Sequence, residues 1–545
     1  MYIKLFLIIT YLIFLVSDSS AQQRMLKYGE RISPATLNPL NIGRDEVAFR
    51  LSQLLFNSLI NIDKKREVVP ELLGTLTPQE ISQDMRRYTF TLRNDVFWHD
   101  NHPFTANDVE FTFRMLRNSQ TATNLGWVNN IVSDVVVINT HTVQFILREP
   151  RSLKDLLSKI GFIKIIPKHR FPQKIDCIHR ENDFGRRWVC GTGPYKTGTI
   201  TSLDRISLNR DDGYLKGFRR LERGRYIIES IEMEVMPEAE YAKEALIRGE
   251  KDLLPVVLPK YLDEIGKNCR SNKHNIRSFF YFAFNCDPDK NIPRGNNRNC
   301  FSDKMVRQAL TLAVDRLNML QTTYGERCVN YQDLMSGPYF PGEGDPESVP
   351  LGYTPTHIYM KDNKRKAERL LEEAGVYNLN NLRIELKVFL PDEESRRICK
   401  ILRDSLAQIN IQVDIREISS SDEWWEEVVE DRDFEMAFGM WNFHELCDTV
   451  EWLFSREAAR PGGYNICSYI NQRVEEILSQ NRRIRDPDII RQNIRELSKI
   501  IRDDCPYIFL FRVPLYAGYS RDLYIDIHPF WFFAFVNNWY KMERR

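Results

Sequence analysis

The chain has 545 residues, 43% of them hydrophobic and 12% aromatic, ample material for a packed core. Its 76 Lys and Arg against 75 Asp and Glu leave a formal charge of +1, without the basic excess that phosphate contacts require. With 28% charged residues and 25 each of Gly and Pro, disorder and low-complexity fibres are excluded too, and about 150 residues per domain points to three or four globular domains.

Lys4 precedes an apolar run from Leu5 to Val16, and Ser19-Ser20-Ala21 then supplies small residues for a cleavage site. That order predicts a secretory signal peptide over residues 1–21, removed after Ala21. The run is shorter than the roughly 20 residues of a membrane helix; a buried N-terminal helix is the alternative. The first cysteine is Cys177, so a lipid-anchoring Cys after the apolar run is not expected and the mature chain, from about Gln22, is expected to be soluble outside the inner membrane if the source is bacterial. Ten cysteines suit an oxidising compartment. Cys177 with Cys190, Cys286 with Cys300, and Cys447 with Cys467 are short-range candidate pairs, although spacing leaves the connectivity open. No C-x-x-C occurs, so structural staples are expected rather than a redox or zinc motif.

Tyr88, Phe90 and Leu92 alternate with Thr89, Thr91 and Arg93, the period of a half-buried strand. Asn107 is a candidate cap for a helix with Val109, Phe113 and Leu116 on its apolar face, and another strand runs over 142–147. Residues 60–190 thus read as an α+β module. Further on, Asp362 is a candidate cap for a helix carrying Ala367, Leu370, Leu371 and Ala374, which Gly375 stops. A strand through Leu382–Leu390, a helix with Ile398, Leu402 and Ile409 inward, and a strand through Ile411–Ile415 make a βαβ unit. Asp486-Pro487 opens a long helix with Ile490, Ile494, Leu497 and Ile501 on one face. Residues 280–505 read as an α/β lobe.

Gly191-Thr-Gly193-Pro-Tyr195 lacks the third glycine of a phosphate loop, and Pro194 removes an N–H, so a turn entering a strand is expected. His99 and His102 have few potential co-ligands nearby, and Pro103 favours a turn over a metal site. Glu423, Glu426 and Glu427 around Trp424 and Trp425 have the composition of a sugar-cleaving site, but a solvated helix face has the same composition. No G-x-S-x-G, H-E-x-x-H or P-loop occurs. The expectation is a binding protein with no catalytic residues, no metal site and no cofactor.

Separated motifs, in order, resemble family 5 of the bacterial extracellular solute-binding proteins, the peptide, dipeptide and nickel receptors of ABC importers. They are Ile32–Leu40 ("tLnP"), Leu55–Ile60 with Val69–Leu73 ("yegL…vPeLA"), and Tyr88–Arg93 through Phe97–Asp100 to Pro103–Val109 ("ytFtLR…FhdG.PftAeDV"), with Asn101 in the usual Gly position. Then follow Gly191–Tyr195 ("GTGPY"), Gly249–Asp252 ("GeiD") and Phe284-Asn285 with Val306–Leu310 and Ala313–Asp315 ("fN…vRqAl..AiD"). Ala367–Gly375 ("A..LL.eAG") and Asp433–Ala437 ("dfdma") complete the set.

The resemblance implies a two-lobed α/β periplasmic binding protein fold (class II, type C) with an extra α+β domain. Lobe I would combine 22–58, 190–275 and 508–545; the extra domain would be 59–189 and lobe II 276–507. A monomer closing around a peptide or peptide-like ligand and docking on an inner-membrane ABC permease complex is implied; nucleic acid is not a partner. The alternatives are a receptor for nickel or another metal chelate, and a non-transport secreted sensor or chaperone of the same fold. In peptide-binding members, a Trp after the "dfdma" strand is followed three residues later by an Asp that pairs with the peptide's α-ammonium. Here Trp441 aligns, Asn442 follows, and His444 holds the Asp position with Glu445 next. Glu445 would serve the amine with the loop shifted by one residue, and Asp448 is a more distant substitute; His444 alternatively signals a modified peptide or metal chelate, or is an ordinary loop residue. Asn38, Asn285 and Arg512 are further candidates, Arg512 for a ligand carboxylate or for a structural ion pair. The aromatic group 530–535 is read as core rather than ligand wall.

Overall fold

The computed structural model describes residues 24–42, 45–65, 67–118, 125–171, 184–214, 226–274, 277–289, 299–325, 334–339, 359–376, 382–389, 393–443, 448–484, 486–512, 515–528 and 531–542. The expected signal peptide lies outside them. The chain divides into two compact units: Met1–His274 with Leu515–Arg545, and Asn275–Pro514 as one continuous insertion. Among the described residues, no helix is long and apolar enough to cross a membrane.

The first unit is built on a seven-stranded sheet in the order Cys269–His274, Leu515–Ser520, Leu253–Val257, Met25–Glu30, Ser230–Val235, Arg205–Arg210, Tyr195–Thr197. The helix Glu46–Leu55 begins where the Asp45 carboxylate accepts from the Ala48 N–H. Arg50 on that helix makes a buried, two-pronged contact with Glu30 of the central strand, both bonds 2.8 Å. Asp252 accepts from the Lys27 N–H and pairs with Lys541, each at 2.7 Å, which ties the C-terminal segment to the same strand.

A second, four-stranded antiparallel sheet orders Glu80–Ile81, Arg87–Thr91, Thr142–Leu147 and Val132–Asn139. Against it packs Ala106–Arg117, with Val109, Phe113 and Leu116 buried. The helix starts one residue before Asn107, because Thr105 caps it and Asp108 accepts from the Thr105 N–H at 2.9 Å, a capping box. One continuous hydrophobic cluster runs from Leu26 through Trp98 and Phe145 to Trp539. Trp531, Phe532, Phe533 and Phe535 are buried, as expected of core, and Phe530 lies outside the described residues.

The turn 191–194 enters the strand Tyr195–Thr197, as its sequence predicts. Its glycines answer a packing demand: a Cβ on Gly191 would lie 1.7 Å from the Leu55 carbonyl oxygen, and one on Gly193 2.5 Å from that of Leu54. The Gly193 N–H instead donates to Leu55 O at 2.9 Å. His99 holds the turn from the other side, its Nδ1 accepting from Gly191 N–H at 3.1 Å and its Nε2 lying 3.0 Å from Gly193 O.

The second unit carries a five-stranded sheet in the order Gln412–Ile418, Arg383–Phe389, Met436–Phe443, Arg277–Phe284, Tyr507–Phe509. Arg383–Phe389, the helix Glu393–Ala407 and Gln412–Ile418 form the expected βαβ unit, its strands parallel from Arg383 opposite Gln412 to Phe389 opposite Ile418. Alternation sends Phe280, Phe282 and Phe284 into one core and Phe279, Tyr281 and Ala283 into another, so the sheet is covered on both faces. The helix Tyr359–Glu373 starts earlier than expected and places Asp362 inside its first turn rather than at its cap; it ends at Gly375, which takes φ 72°. Pro487–Asp504 is capped by Asp486, whose carboxylate accepts from the Asp488 N–H. Arg307 donates to the carbonyls of Phe301, Ser302 and Asp504, a structural use of the "vRqAl" arginine.

Cys286 and Cys300, a short-range candidate pair, are not joined to each other in the structure. Cys300 instead opens a short helical turn and packs into the core around Phe301. Cys177, Cys328 and Cys447 lie outside the described residues.

Candidate functional site

The strand Met436–Phe443 ends in Trp441, Asn442 and Phe443. Its antiparallel neighbour sets Phe279 opposite Trp441 and Ser278 opposite Asn442. On that neighbour's far side runs Tyr507–Phe509, whose chain continues to Phe511, the acceptor of the Phe280 N–H at 3.0 Å. Arg512 comes next. One end of the sheet therefore gathers Trp441, Asn442 and Arg512, on strands separated by a single intervening strand. His444 and Glu445 lie outside the described residues; in sequence they follow Phe443.

Successive strand residues face opposite ways, and that separates the pair at this end. Trp441 is 3% exposed, stacked on Tyr281 with centroids 5.6 Å apart and met edge-on by Tyr464 at 5.6 Å. Asn442 is exposed, and Arg512 is half-buried. Gly439 makes the aromatic stack possible, because a Cβ there would lie 2.6 Å from the Tyr281 hydroxyl. Tyr281 and Tyr464 were not identified from the sequence. The spacing Gly439-x-Trp441, two positions on one strand face, was the available signal for a large ring opposite.

The other two candidates stand elsewhere. Asn285 follows the opposite end of the strand Arg277–Phe284, about 20 Å from Phe279 at roughly 3.3 Å per residue. It is fully buried, donates to Arg432 O at 2.9 Å and accepts from the Asp287 N–H at 3.1 Å. Asn38 belongs to the first unit, where its Oδ1 accepts from the Leu40 N–H at 3.1 Å in a local turn. Both side chains serve main-chain geometry.

The acidic and aromatic group of the second unit is committed to ion pairs. Glu427 meets Lys387 at 2.7 Å and Arg416 at 2.6 Å, while Arg416 also reaches Glu423 at 3.2 Å. Although burial alone would raise the Glu427 pKa, the hydrogen bonds and charges of Lys387 and Arg416 bring it below the ordinary range. Trp424 is buried, and the Trp425 indole donates to Glu430 at 2.9 Å.

Two clusters of potential metal ligands occur among the described residues. In the first, Asp100, His169 and Cys190 surround an oxygen already engaged, since Asp100 Oδ2 lies 2.8 Å from His169 Nε2 and 2.7 Å from Arg170 Nε. These partners outweigh burial and hold Asp100 down to about 2. In the second, Glu240, Glu244 and Glu264 all contact the Lys243 ammonium, which occupies the place of a cation.

A family model described as bacterial extracellular solute-binding proteins, family 5 middle, matches residues 67–448. The oligopeptide-binding protein AppA of Bacillus subtilis is 24% identical over 506 residues, covering 88% of this chain and 84% of that protein. The solved structure of AppA from Bacillus subtilis, in complex with a nonapeptide, superposes with a TM-score of 0.76 at 21% identity, covering 95% of this chain and 99% of that one. NikZ from Campylobacter jejuni, in complex with Ni(L-His), gives a TM-score of 0.72 at 19% identity over 95% of this chain and all of that one. These likenesses place the chain in one fold with receptors whose ligands differ.

Proposed function

The chain belongs to family 5 of the bacterial extracellular solute-binding proteins, and from that premise we propose that it is the receptor of an ABC importer, capturing an oligopeptide or peptide-like solute between two closing lobes. The observation that carries this reading is the likeness to an oligopeptide-binding relative over 88% of the chain and of the fold to its peptide complex over 95%. Lobe I would comprise 22–58, 190–275 and 508–545, the extra domain 59–189, and lobe II 276–507. A hinge of two chain crossings fits the insertion of the second unit between His274 and Leu515. The signal peptide, cleaved after Ala21, would deliver a monomer to the periplasm, where an inner-membrane permease receives the ligand.

Trp441 and Asn442 lead into the segment that carries Glu445, and Glu445 takes the peptide's α-ammonium in this proposal. A charge-assisted hydrogen bond of that kind contributes about 1.5–3 kcal/mol, so Glu445→Gln should weaken binding of a free-amine peptide roughly 10- to 100-fold. The peptide main chain would be held by strand-like pairing, and Arg512 would meet a ligand carboxylate. Native mass spectrometry of the purified receptor identifies a ligand; calorimetry then compares that peptide with its N-acetylated form. Equal affinity for the two forms would remove the role of Glu445. A second reading, a metal-chelate receptor using His444, draws on the NikZ likeness, and a co-purified metal complex would establish it instead.

A further inference from the structure

We propose that Cys286 and Cys467 are joined by a disulfide in the mature protein, a pairing that the spacing of the cysteines does not suggest. The Cys286 N–H donates to the carbonyl of Cys467 at 2.8 Å. A direct main-chain bond of this kind brings two Cα atoms into the range, roughly 4.4–6.8 Å, that a disulfide spans. The side chains converge on one junction. Phe284 N–H donates to Pro506 O at 3.1 Å; Cys467 Sγ lies 3.2 Å from that same Pro506 oxygen, and Cys286 Sγ lies 3.6 Å from Phe284 O. No other pair of described cysteines shares a main-chain hydrogen bond. Cys505 points its sulfur at Arg502 O, 3.0 Å away, and Cys399 is buried on the helix Glu393–Ala407.

The pair occupies a position where a staple has leverage. Cys286 follows the strand Arg277–Phe284, and Cys467 precedes the helix Gln472–Asn481, so the bond closes a loop through most of the second unit. Such a loop removes much of the freedom of the unfolded chain. In the structure the two are thiols, the reduced form of the pair. Burial pushes both thiols above their usual pKa, and the nearness of Cys286 pushes Cys467 further. The folded dithiol therefore carries little thiolate, which favours closing the bond while the chain is still folding. The oxidant is an external disulfide, a small molecule or an oxidoreductase. One cysteine thiolate attacks a sulfur of that disulfide and expels a thiolate; the second then displaces the mixed disulfide. Two electrons and two protons pass to the oxidant, which leaves as two thiols.

The experiment refolds the full-length mature chain in a mixture of oxidised and reduced glutathione and maps its disulfides by non-reducing digestion and mass spectrometry. The expected peptide pair joins Cys286 to Cys467. Free thiols at both positions, or either residue joined to Cys300, Cys447 or another cysteine, would overturn the proposal. A second measurement compares melting temperatures. Cys286→Ser and Cys467→Ser should each melt about 5–15 °C below the oxidised protein. The double variant should fall no further, and a reductant should lower only the unsubstituted protein. Additive losses insensitive to reductant would mean that the two thiols only pack.

Discussion

The first unit holds the turn 191–194, the Asp252 carboxylate and Asn38, each spent on holding main chain in place. At the end of the second unit's sheet, Asn442, paired opposite Ser278, is exposed and Arg512 is half-buried. The motifs that make the chain recognisable are thus largely the ones that hold it together. The departure from the family pattern expected from the sequence falls just beyond the strand Met436–Phe443, where His444 holds the usual Asp position with Glu445 next.

That contrast can be broken most sharply at the turn. Gly191→Ala places a methyl group 1.7 Å from Leu55 O, so either the turn or the helix end must move. A loss of more than about 4 kcal/mol in urea unfolding is expected. A variant that unfolds like the unsubstituted protein would show that the turn tolerates the side chain.

The next effect runs through the residue that grips the same turn. Burial lowers the His99 pKa to about 4, whereas an unfolded chain takes up that proton near 6.5. Between those values the unfolded state binds more protons, so the contribution is complete above pH ~6.5 and is lost as the pH falls toward 4, by about 3 kcal/mol. His99→Gln cannot take up the proton, and its unfolding free energy should vary less between pH 7 and pH 4.5. Identical slopes for the two proteins would put the acid sensitivity elsewhere.

The smallest expected effect belongs to the second unit. Asn442→Ala, at an exposed strand position, should change stability by less than about 0.5 kcal/mol. A larger loss in the same urea titration would move Asn442 to the structural side of the contrast.

Elements with a local signature were legible in the sequence. The strand Arg87–Thr91, the βαβ unit over 383–418 and the capped helix Pro487–Asp504 stand where alternation, apolar stripes and Asp486-Pro487 place them. Two helix starts were displaced: Thr105 with Asp108 outcompeted Asn107, and the helix around Asp362 gained its first residues upstream. Of the candidate site, the sequence pointed to Trp441, Asn442 and Arg512, but not to the Tyr281 and Tyr464 rings around Trp441.

The amino-acid sequence by itself determined the period of each strand, the ordered motifs and the capped helices, because those depend on neighbours within a turn or two of the chain. Only the tertiary structure decided that Gly191 must clear Leu55, that Asn285 stands at the far end of the sheet from Trp441, and that the Cys286 N–H bonds to the carbonyl of Cys467. Each of these rests on contacts between residues far apart in sequence, which long-range packing sets and local spacing does not encode.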